Sequence, residues 1–469
     1  MLLAGTAFLI FLGTGCAVPK QTSVDKSFTL PTTFGTDTDT APSVLLVRNQ
    51  FYRSPYLQDL IDTVLANNFD IRRAGQRLNV AEAMVRQARA PLSPQVNAAV
   101  TPSLRRFGLY TMDGAGNIVT DIETGKTVPI NLPDFYYGVQ ASWEIDLWGK
   151  LRNRKKAALA RFLATKEGRQ LLQTSLVAET AATYYALQSD DQVLRLLDQT
   201  IALQEEALVT VRVQKQAAVV NELAVQQFEA QLLSMKSLRL EMQQKIVEHE
   251  SRLNLLAGRF GQPIPRDSAF FVQEAVPRIL AGTPAMLLRN RPDIRQAEWE
   301  LAASRADLSA ARAAFYPSLQ VSGAMGLQAY RNGLLFTLPE SLAYGFFAGL
   351  SAPLINRQSI KAEFVRADAQ QLDALLQYQQ TINRSYLEVY QELRNIRMLE
   401  QVYENRQKET GILTASIQVS ADLFRTGRAS YLEVLLARQN ALRANIELIN
   451  TRRNQYLAAI SLYRALGGG

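Results

Sequence analysis

Few side chains in this sequence could carry out covalent or metal chemistry. Its 469 residues include one histidine, His249, and one cysteine, Cys16. A cysteine–histidine metal site needs more ligands than these, so we predict no metal site and no cofactor. A nucleophilic triad would have to use His249. That residue lies in Lys245-Ile-Val-Glu-His-Glu250, a polar strip of a helical pattern, and is predicted to face solvent. The sequence therefore indicates a protein that is not an enzyme.

Cys16 follows an apolar amino-terminal stretch. Residues 2–15 are apolar or small and uncharged, and they are too few to span a bilayer as a helix. This pattern is typical of a secretory signal peptide, which we place at residues 1–15. Leu12-Gly-Thr-Gly-Cys16 resembles a bacterial lipoprotein signal, in which the cysteine is lipidated, for example with palmitate, although Gly13 stands where a larger aliphatic residue is usual. Gly13 and Gly15 also suit ordinary signal cleavage.

The charge pattern argues against nucleic-acid binding. The formal net charge is +8, from 51 basic and 43 acidic residues. These charges are spread along the chain without a dense basic run, as on solvated helix faces.

Four segments alternate between apolar and polar residues, which predicts strands at 95–109, 135–148, 318–329 and 343–354. An ordinary soluble sheet could show this alternation. Strand lengths of about ten residues and flanking aromatic residues favour a membrane β-barrel with one face toward lipid. The residues predicted to face lipid are Tyr137, Val139, Ala141, Trp143, Ile145, Tyr344 and Phe346. Four strands cannot close a barrel, because a small barrel needs about eight, so several chains must share one.

The remaining sequence predicts very long helices. Residues 169–257 contain no glycine or proline, and residues 357–466 contain only Gly411 and Gly427. Such runs indicate coiled-coil-like packing. A soluble coiled-coil rod would explain the helices but not the strands.

The chain also contains an internal twofold repeat. Asn68-Phe-Asp-Ile-Arg72 corresponds to Arg291-Pro-Asp-Ile-Arg295, and Leu253-Asn-Leu-Leu-Ala-Gly258 to Leu462-Tyr-Arg-Ala-Leu-Gly467. The two copies are offset by 223 residues at the first match and by 209 at the second. This decrease places a longer loop in the first copy. We therefore predict an extended segment at 16–56, a first repeat at 57–265, a linker at 266–280 and a second repeat at 281–469.

Several motifs resemble the TolC-like outer-membrane efflux protein family, in its lipoprotein branch. They are Leu287-Leu-Arg-Asn-Arg-Pro-Asp-Ile-Arg295, Ala311-Arg-Ala-Ala-Phe-Tyr-Pro317, Trp143-Glu-Ile-Asp-Leu-Trp-Gly-Lys150 and Leu462-Tyr-Arg-Ala-Leu-Gly-Gly-Gly469. The resemblance implies a mixed α and β fold, assembled as a homotrimer. Twelve strands, four from each chain, would form a barrel in the outer membrane, continuous with a helical tunnel through the periplasm. It also implies a periplasmic adaptor and an inner-membrane pump, most often of the resistance-nodulation-division type, as partners.

The resemblance further implies a gate at the periplasmic end. Glu433 falls where the family has an acidic constriction residue, and Leu436 stands where a second acidic residue is common. Three arginines are candidate ion-pair partners in the gate: Arg425, Arg428 and Arg438. The alternative is that each of them is an ordinary surface residue without a gating role.

The predicted function is a passive outer-membrane channel for drugs, other small molecules or metal ions delivered by the pump. The chain would be lipid-anchored, contact outer-membrane lipids and extend into the periplasm. Two alternatives are a channel for type I protein secretion and a helical scaffold without a pore.

Overall fold

The computed structural model describes residues 21–22, 29–34, 48–267, 271, 276–277, 279, 281–352 and 357–468. Cys16 and the predicted signal peptide lie outside these residues. The described chain forms two compact units. The first comprises Asn79–Leu163 and Trp299–Leu376 together with residues 21–22, and the second comprises Ala164–Glu298 and Gln377–Gly469 together with the described part of Lys26–Leu78.

The main elements follow one another in the order helix, strand, strand, long helix, long helix in each half of the chain, and the first half adds one short helix and two short strands between its two main strands. The first set is α1 (Arg48–Phe51), α2 (Pro55–Asn67), α3 (Phe69–Arg89), β1 (Gln95–Arg106), α4 (Met112–Val119), β2 (Asp121–Glu123), β3 (Lys126–Thr127), β4 (Asn131–Ile145), α5 (Lys150–Gln216) and α6 (Glu222–Leu256). The second set is α7 (Leu287–Asn290), α8 (Pro292–Ala313), β5 (Ser318–Ala329), β6 (Leu342–Ser351), α9 (Gln358–Arg425) and α10 (Tyr431–Ala465).

The first unit contains a four-stranded antiparallel sheet in the order β1-β4-β5-β6 and a two-stranded antiparallel sheet, β2-β3. All four strands exist as predicted, but three have different ends. β1 stops at Arg106 rather than at residue 109, because the chain turns at Gly108, whose carbonyl accepts a hydrogen bond from Thr111 N–H at 2.9 Å. β6 begins at Leu342 and ends at Ser351. Residues 353 and 354, the end of the predicted strand, lie outside the described residues.

β4 begins four residues earlier than predicted, because its extra residues pair with the end of β1, Asn131 with Arg106. It ends at Ile145, because Asp146 instead caps the start of α5. The Asp146 carboxylate accepts hydrogen bonds from Leu151 N–H at 3.0 Å and Arg152 N–H at 2.8 Å. Burial alone would raise the pKa of Asp146, but these hydrogen bonds and the Arg152 guanidinium outweigh it and lower the pKa.

The second unit is built from helices packed on three clusters of buried apolar side chains. Stacked aromatic rings mark the largest cluster. Phe51 stacks on Tyr463 with 4.2 Å between ring centroids, and Tyr185 stacks on Tyr456 at 4.4 Å. The predicted extended segment 16–56 is therefore wrong at its end, because α1 and the start of α2 are helical and bury Phe51 in this core. The described part of the predicted linker also packs, since Phe271 is buried.

The long run without glycine or proline is not one helix. α5 ends at Gln216 and α6 begins at Glu222, and between them Ala218 adopts a left-handed backbone with φ of +56°. The corresponding turn between α9 and α10 has Gly427 at φ of +72°. The two positions differ by 209 residues, the shift that relates Leu253 to Leu462. Asn221 accepts a hydrogen bond from Ala224 N–H at 3.1 Å and caps α6, so the break is built without a helix-breaking residue.

Candidate functional site

The sheet of the first unit carries an apolar surface that crosses all four strands. Residues paired directly across antiparallel strands lie on one face, so the register defines this surface. Its rows are Val100, Tyr137, Leu327 and Leu342; Ala98, Val139, Met325 and Tyr344; Val96, Ala141, Gly323 and Phe346; Trp143, Val321 and Ala348; and Ile145, Leu319 and Leu350. All seven residues predicted to face lipid belong to it. Tyr344 and Phe346 are 80% and 78% exposed, so no part of the chain that the structure describes covers them.

The opposite face of the sheet is mostly polar or small. Its rows include Asn97, Gln140, Ala324 and Gly345, and Glu144, Gln320 and Gly349. Glu144 forms an ion pair with Lys150 on this side. Phe347 interrupts the pattern, because it is exposed on the polar face in register with Ser322. Sequence reasoning left Phe347 unassigned, although it is the residue that breaks the alternation of the last strand.

Two glycines let the central strands approach closely. Gly138 and Gly326 are directly paired, and a Cβ on Gly326 would lie 2.4 Å from the Tyr137 carbonyl oxygen. A Cβ on Gly138 would lie 2.6 Å from the Tyr136 hydroxyl, because that side chain covers the glycine. Glycine pairs of this kind allow a sheet to curve, with an aromatic ring closing the gap above them.

An aromatic pair marks the end of the sheet from which the helices continue. Trp148 Nε1–H donates to the Pro317 carbonyl at 2.8 Å, and its ring stacks on Tyr316 at 4.9 Å between centroids. Trp148 remains half-exposed. An amphipathic ring that hydrogen-bonds at a strand end while exposing its face suits a membrane–water interface.

The second unit presents the two helix turns as one cleft. The turn at 217–221 and the turn at 426–430 both contribute to its lining, with Val219, Phe424 and Tyr431 among the side chains. Val219 is exposed, as are Leu423 and Leu432 near the second turn.

The five gate candidates lie at or near the second turn, and their contacts differ from a simple ion-pair cluster. The Glu433 carboxylate accepts two hydrogen bonds from Ser430, one from its backbone N–H and one from its hydroxyl at 3.1 Å. The bond from the backbone N–H completes a capping box at the start of α10. Arg425 pairs with Asp422 at 3.2 Å on the helix surface. Arg428 and Leu436 are exposed.

Arg438, the remaining gate candidate, is partly buried. Its Nη1–H donates to the Leu203 carbonyl at 3.2 Å. Burial lowers the pKa of the Arg438 guanidinium. The motif Ser430-x-x-Glu433 is a sequence signature of a capping box, and it is the signal by which the structural contact of Glu433 could have been found.

The sequence pattern predicted that His249 faces solvent, but the structure gives it a buried partner. Its Nδ1 lies 2.8 Å from Oδ2 of the buried Asp190, across the α5–α6 pair. Beside them Arg266 bridges Asp191 and Glu250, both at 2.5 Å. These contacts tie the segment after α6 to both helices. Among the residues that the structure describes, no group of three or more histidine, cysteine, aspartate or glutamate residues could hold a metal ion.

A buried carboxylate holds the amino-terminal segment to α9. Asp368 Oδ2 accepts hydrogen bonds from Thr22, at 3.1 Å from the backbone N–H and 2.7 Å from the hydroxyl. Gln21 Nε2–H donates to Gln371 at 3.2 Å. Asp368 is 6% exposed, so this contact fixes the chain six residues after Cys16.

Across the described residues, no α-helix has the length and apolar character that a membrane-crossing helix requires.

Comparison with known proteins gives a consistent relationship. The family model described as "Outer membrane efflux protein" matches residues 60–259 and 283–468. The probable efflux pump outer membrane protein TtgC of Pseudomonas putida is 30% identical over 426 residues, which cover 90% of this chain and 84% of TtgC. The probable outer membrane lipoprotein SilC of Salmonella typhimurium is 26% identical over 420 residues, 89% of this chain and 87% of SilC.

A solved structure gives the same relationship for the fold. A crystal structure of CusC, described in terms of folding and transmembrane channel formation, superposes with a TM-score of 0.81 at 25% identity, covering 96% of this chain and 99% of that one.

Proposed function

The chain belongs to the outer membrane efflux protein family, and from this premise we propose that three copies form one channel through the outer membrane. Each chain would contribute four strands to a twelve-stranded barrel, continuous with a helical tunnel in the periplasm. The chain is an outer-membrane efflux protein, and its family consists of efflux channels rather than enzymes. We extend this to the chain itself and assign it no catalysis.

The observation that carries the proposal is the sheet with two different faces and two open edges. Its apolar face suits lipid, and its polar face suits a water-filled lumen. Strands β1 and β6 are the edges of the sheet within the described chain. An open edge in hydrocarbon leaves backbone N–H and C=O groups unpaired, which is unfavourable by several kcal/mol for each group. Pairing β1 of one chain with β6 of the next removes both edges.

The transport role follows from the fold rather than from a reactive site. A wide polar tunnel conducts passively, so the energy must come from an inner-membrane pump, which we propose to be of the resistance-nodulation-division type. A periplasmic adaptor would join the pump to the turns at 217–221 and 426–430. The substrates would be drugs, other small molecules or metal ions.

We propose that residues 1–15 are a signal peptide and that Cys16 is lipidated. The name of SilC as a lipoprotein supports the anchor, and so does the fixed position of Thr22 on Asp368.

For the gate we propose that Glu433 and Leu436 line the constriction and that Arg425, Arg428 and Arg438 lie beside it. The capping contact of Glu433 to Ser430 uses one carboxylate oxygen, Oε2, so the charge of the side chain is retained at the turn. The twofold repeat supports a tunnel end with near-sixfold arrangement, because Ala218 and Gly427 take the same left-handed conformation at the same shift.

The test compares two neighbouring residues on opposite faces of β4. Val139→Arg places a charge on the lipid side, where it is unfavourable by roughly 2–4 kcal/mol near the bilayer midplane, whereas Gln140→Arg places the same charge in the lumen. We expect the Val139 variant to fail to accumulate in the outer membrane. The parent and the Gln140 variant should assemble and give stepwise conductance in planar bilayers. Assembly of both variants would contradict the facing, and absence of conductance from the assembled parent would contradict the channel.

A further inference from the structure

The long and short loops of the sheet expose apolar side chains that the channel proposal leaves unused. In the long loop, residues 107–130, the most exposed are Tyr110, Met112 and Val119, at 106%, 91% and 81%. In the short loop, residues 330–341, they are Phe336 and Leu338, at 73% and 64%. We call Tyr110, Met112 and Val119 the long-loop patch, and Phe336 and Leu338 the short-loop patch. Apolar side chains exposed together in this way are typical of contact surfaces.

Both loops are internally bonded, so the patches are held in place. Thr111 caps α4 by accepting from Gly114 N–H at 3.1 Å, and its hydroxyl donates to the Gly108 carbonyl at 2.7 Å. In the short loop Leu335 is buried, and the Thr337 carbonyl accepts from the backbone N–H and hydroxyl of Ser341. A rigid apolar surface loses little conformational entropy when it is covered.

Within one chain, the β2–β3 hairpin of the long loop contacts the short loop, and this contact does not involve either patch. Glu123 accepts a hydrogen bond from the Tyr330 hydroxyl and pairs with Arg331 at 3.7 Å and with Lys126 at 2.8 Å. These contacts are polar and use neither patch.

The strand directions decide which chain can cover the patches. Each neighbouring pair in the order β1-β4-β5-β6 is antiparallel, so β1 also runs antiparallel to β6. If β1 pairs with β6 of the next chain, the last residue of β1, Arg106, comes close to the first residue of that β6, Leu342. Met112 lies six residues after Arg106, and Phe336 lies six residues before Leu342. Adjacent strands are about 4.8 Å apart, so the two loops meet at the same rim.

We propose that the long-loop patch of one chain packs against the short-loop patch of the next copy around the barrel. This inference rests on the proposed trimer, and it adds a side-chain interface at the outer rim to the pairing of strand edges. The contact joins two different surfaces, so it continues from copy to copy and closes a ring in the proposed trimer rather than ending at a pair. Met112 against Phe336 would place a polarizable thioether beside an aromatic ring, a favourable contact.

The test is disulfide formation in the full-length protein extracted in mild detergent. A chain carrying Met112→Cys and Phe336→Cys should form disulfides between copies and migrate mainly as three linked chains without reductant. Each single variant should give no species larger than two chains. A matched control carries Met112→Cys and Ser351→Cys, because Ser351 lies at the other end of β6, roughly 30 Å from Leu342 at 3.3 Å per residue. This control should not link.

The mass of the unlinked assembly separates the two proposals. Three chains by mass with no linked trimer in the double variant would overturn the loop contact while leaving the channel intact. A linked trimer in the Ser351 control would show that the disulfides do not report this contact, which would also overturn the assignment. A monomer by mass would contradict the trimer itself.

Discussion

Glu433 illustrates how one side chain can have a structural contact and a proposed gating role. Its carboxylate caps the first turn of α10 through Ser430. A capping box is worth about 1 kcal/mol, and glutamine can replace glutamate in it. The charge needed for a cation-selective constriction belongs to glutamate alone.

This difference gives a prediction for two variants. Glu433→Gln keeps the cap and removes the charge, so we expect it to lower cation selectivity and raise the open fraction in bilayer recordings without altering the amount of folded protein. Glu433→Ala removes both features and should also destabilise the turn by about 1 kcal/mol. If recordings of the glutamine variant match those of the parent while the alanine variant differs, the role of Glu433 is the cap and not the gate.

At the scale of elements, the two helix turns form a natural pair. The backbone of Ala218 is sterically strained at φ of +56°, since its Cβ crowds the following carbonyl oxygen. Gly427 at φ of +72° has no Cβ and is not strained in this way. The residue types therefore differ although the backbone conformation is the same.

The two turns are expected to respond oppositely to substitution. Ala218→Gly should stabilise its turn by up to about 1 kcal/mol, and Gly427→Ala should destabilise its turn by a similar amount. Hydrogen exchange measured on the backbone amides of residues 213–224 and 423–434 would check this. Exchange should slow several-fold at the first turn in one variant and accelerate several-fold at the second turn in the other. Changes of the same sign in both variants would contradict the assignment of strain.

The elements also show what the sequence could and could not provide. Period-two alternation located all four strands, because apolar and polar side chains alternate along them at each step. It could not locate their ends, which depend on local contacts such as the Asp146 cap and the turn at Gly108. The helix break at Ala218 was also not located from the sequence, because no glycine or proline marks it. The signal lay in the predicted internal repeat, whose shift of 209 residues relates Ala218 to Gly427.

In the candidate site, too, local spacing was readable from the sequence and long-range contacts were not. The seven residues predicted to face lipid share one face of the sheet, since their spacing alone decides this. The contact of Asp368 with Thr22 joins residues 346 positions apart, and no local pattern indicates it. His249 was predicted to be exposed from its polar neighbours, but the approach of α5 brings the buried Asp190 to its ring.

At the scale of the whole molecule, the proposed channel requires that the four strands become part of a closed barrel. The described chain has a sheet with an exposed apolar face and two edge strands, and it buries neither. Pairing with further copies would close the two edges, and the bilayer would cover the apolar face. The outer rim would then carry the proposed contact between the long-loop and short-loop patches.

The mass of the protein extracted from outer membranes in mild detergent, corrected for bound detergent, tests this central claim most directly. We predict a species of about three chains, each with four strands, because twelve strands can close a barrel and four cannot. A monodisperse monomer would contradict the shared barrel, since it would leave β1 and β6 unpaired in the membrane.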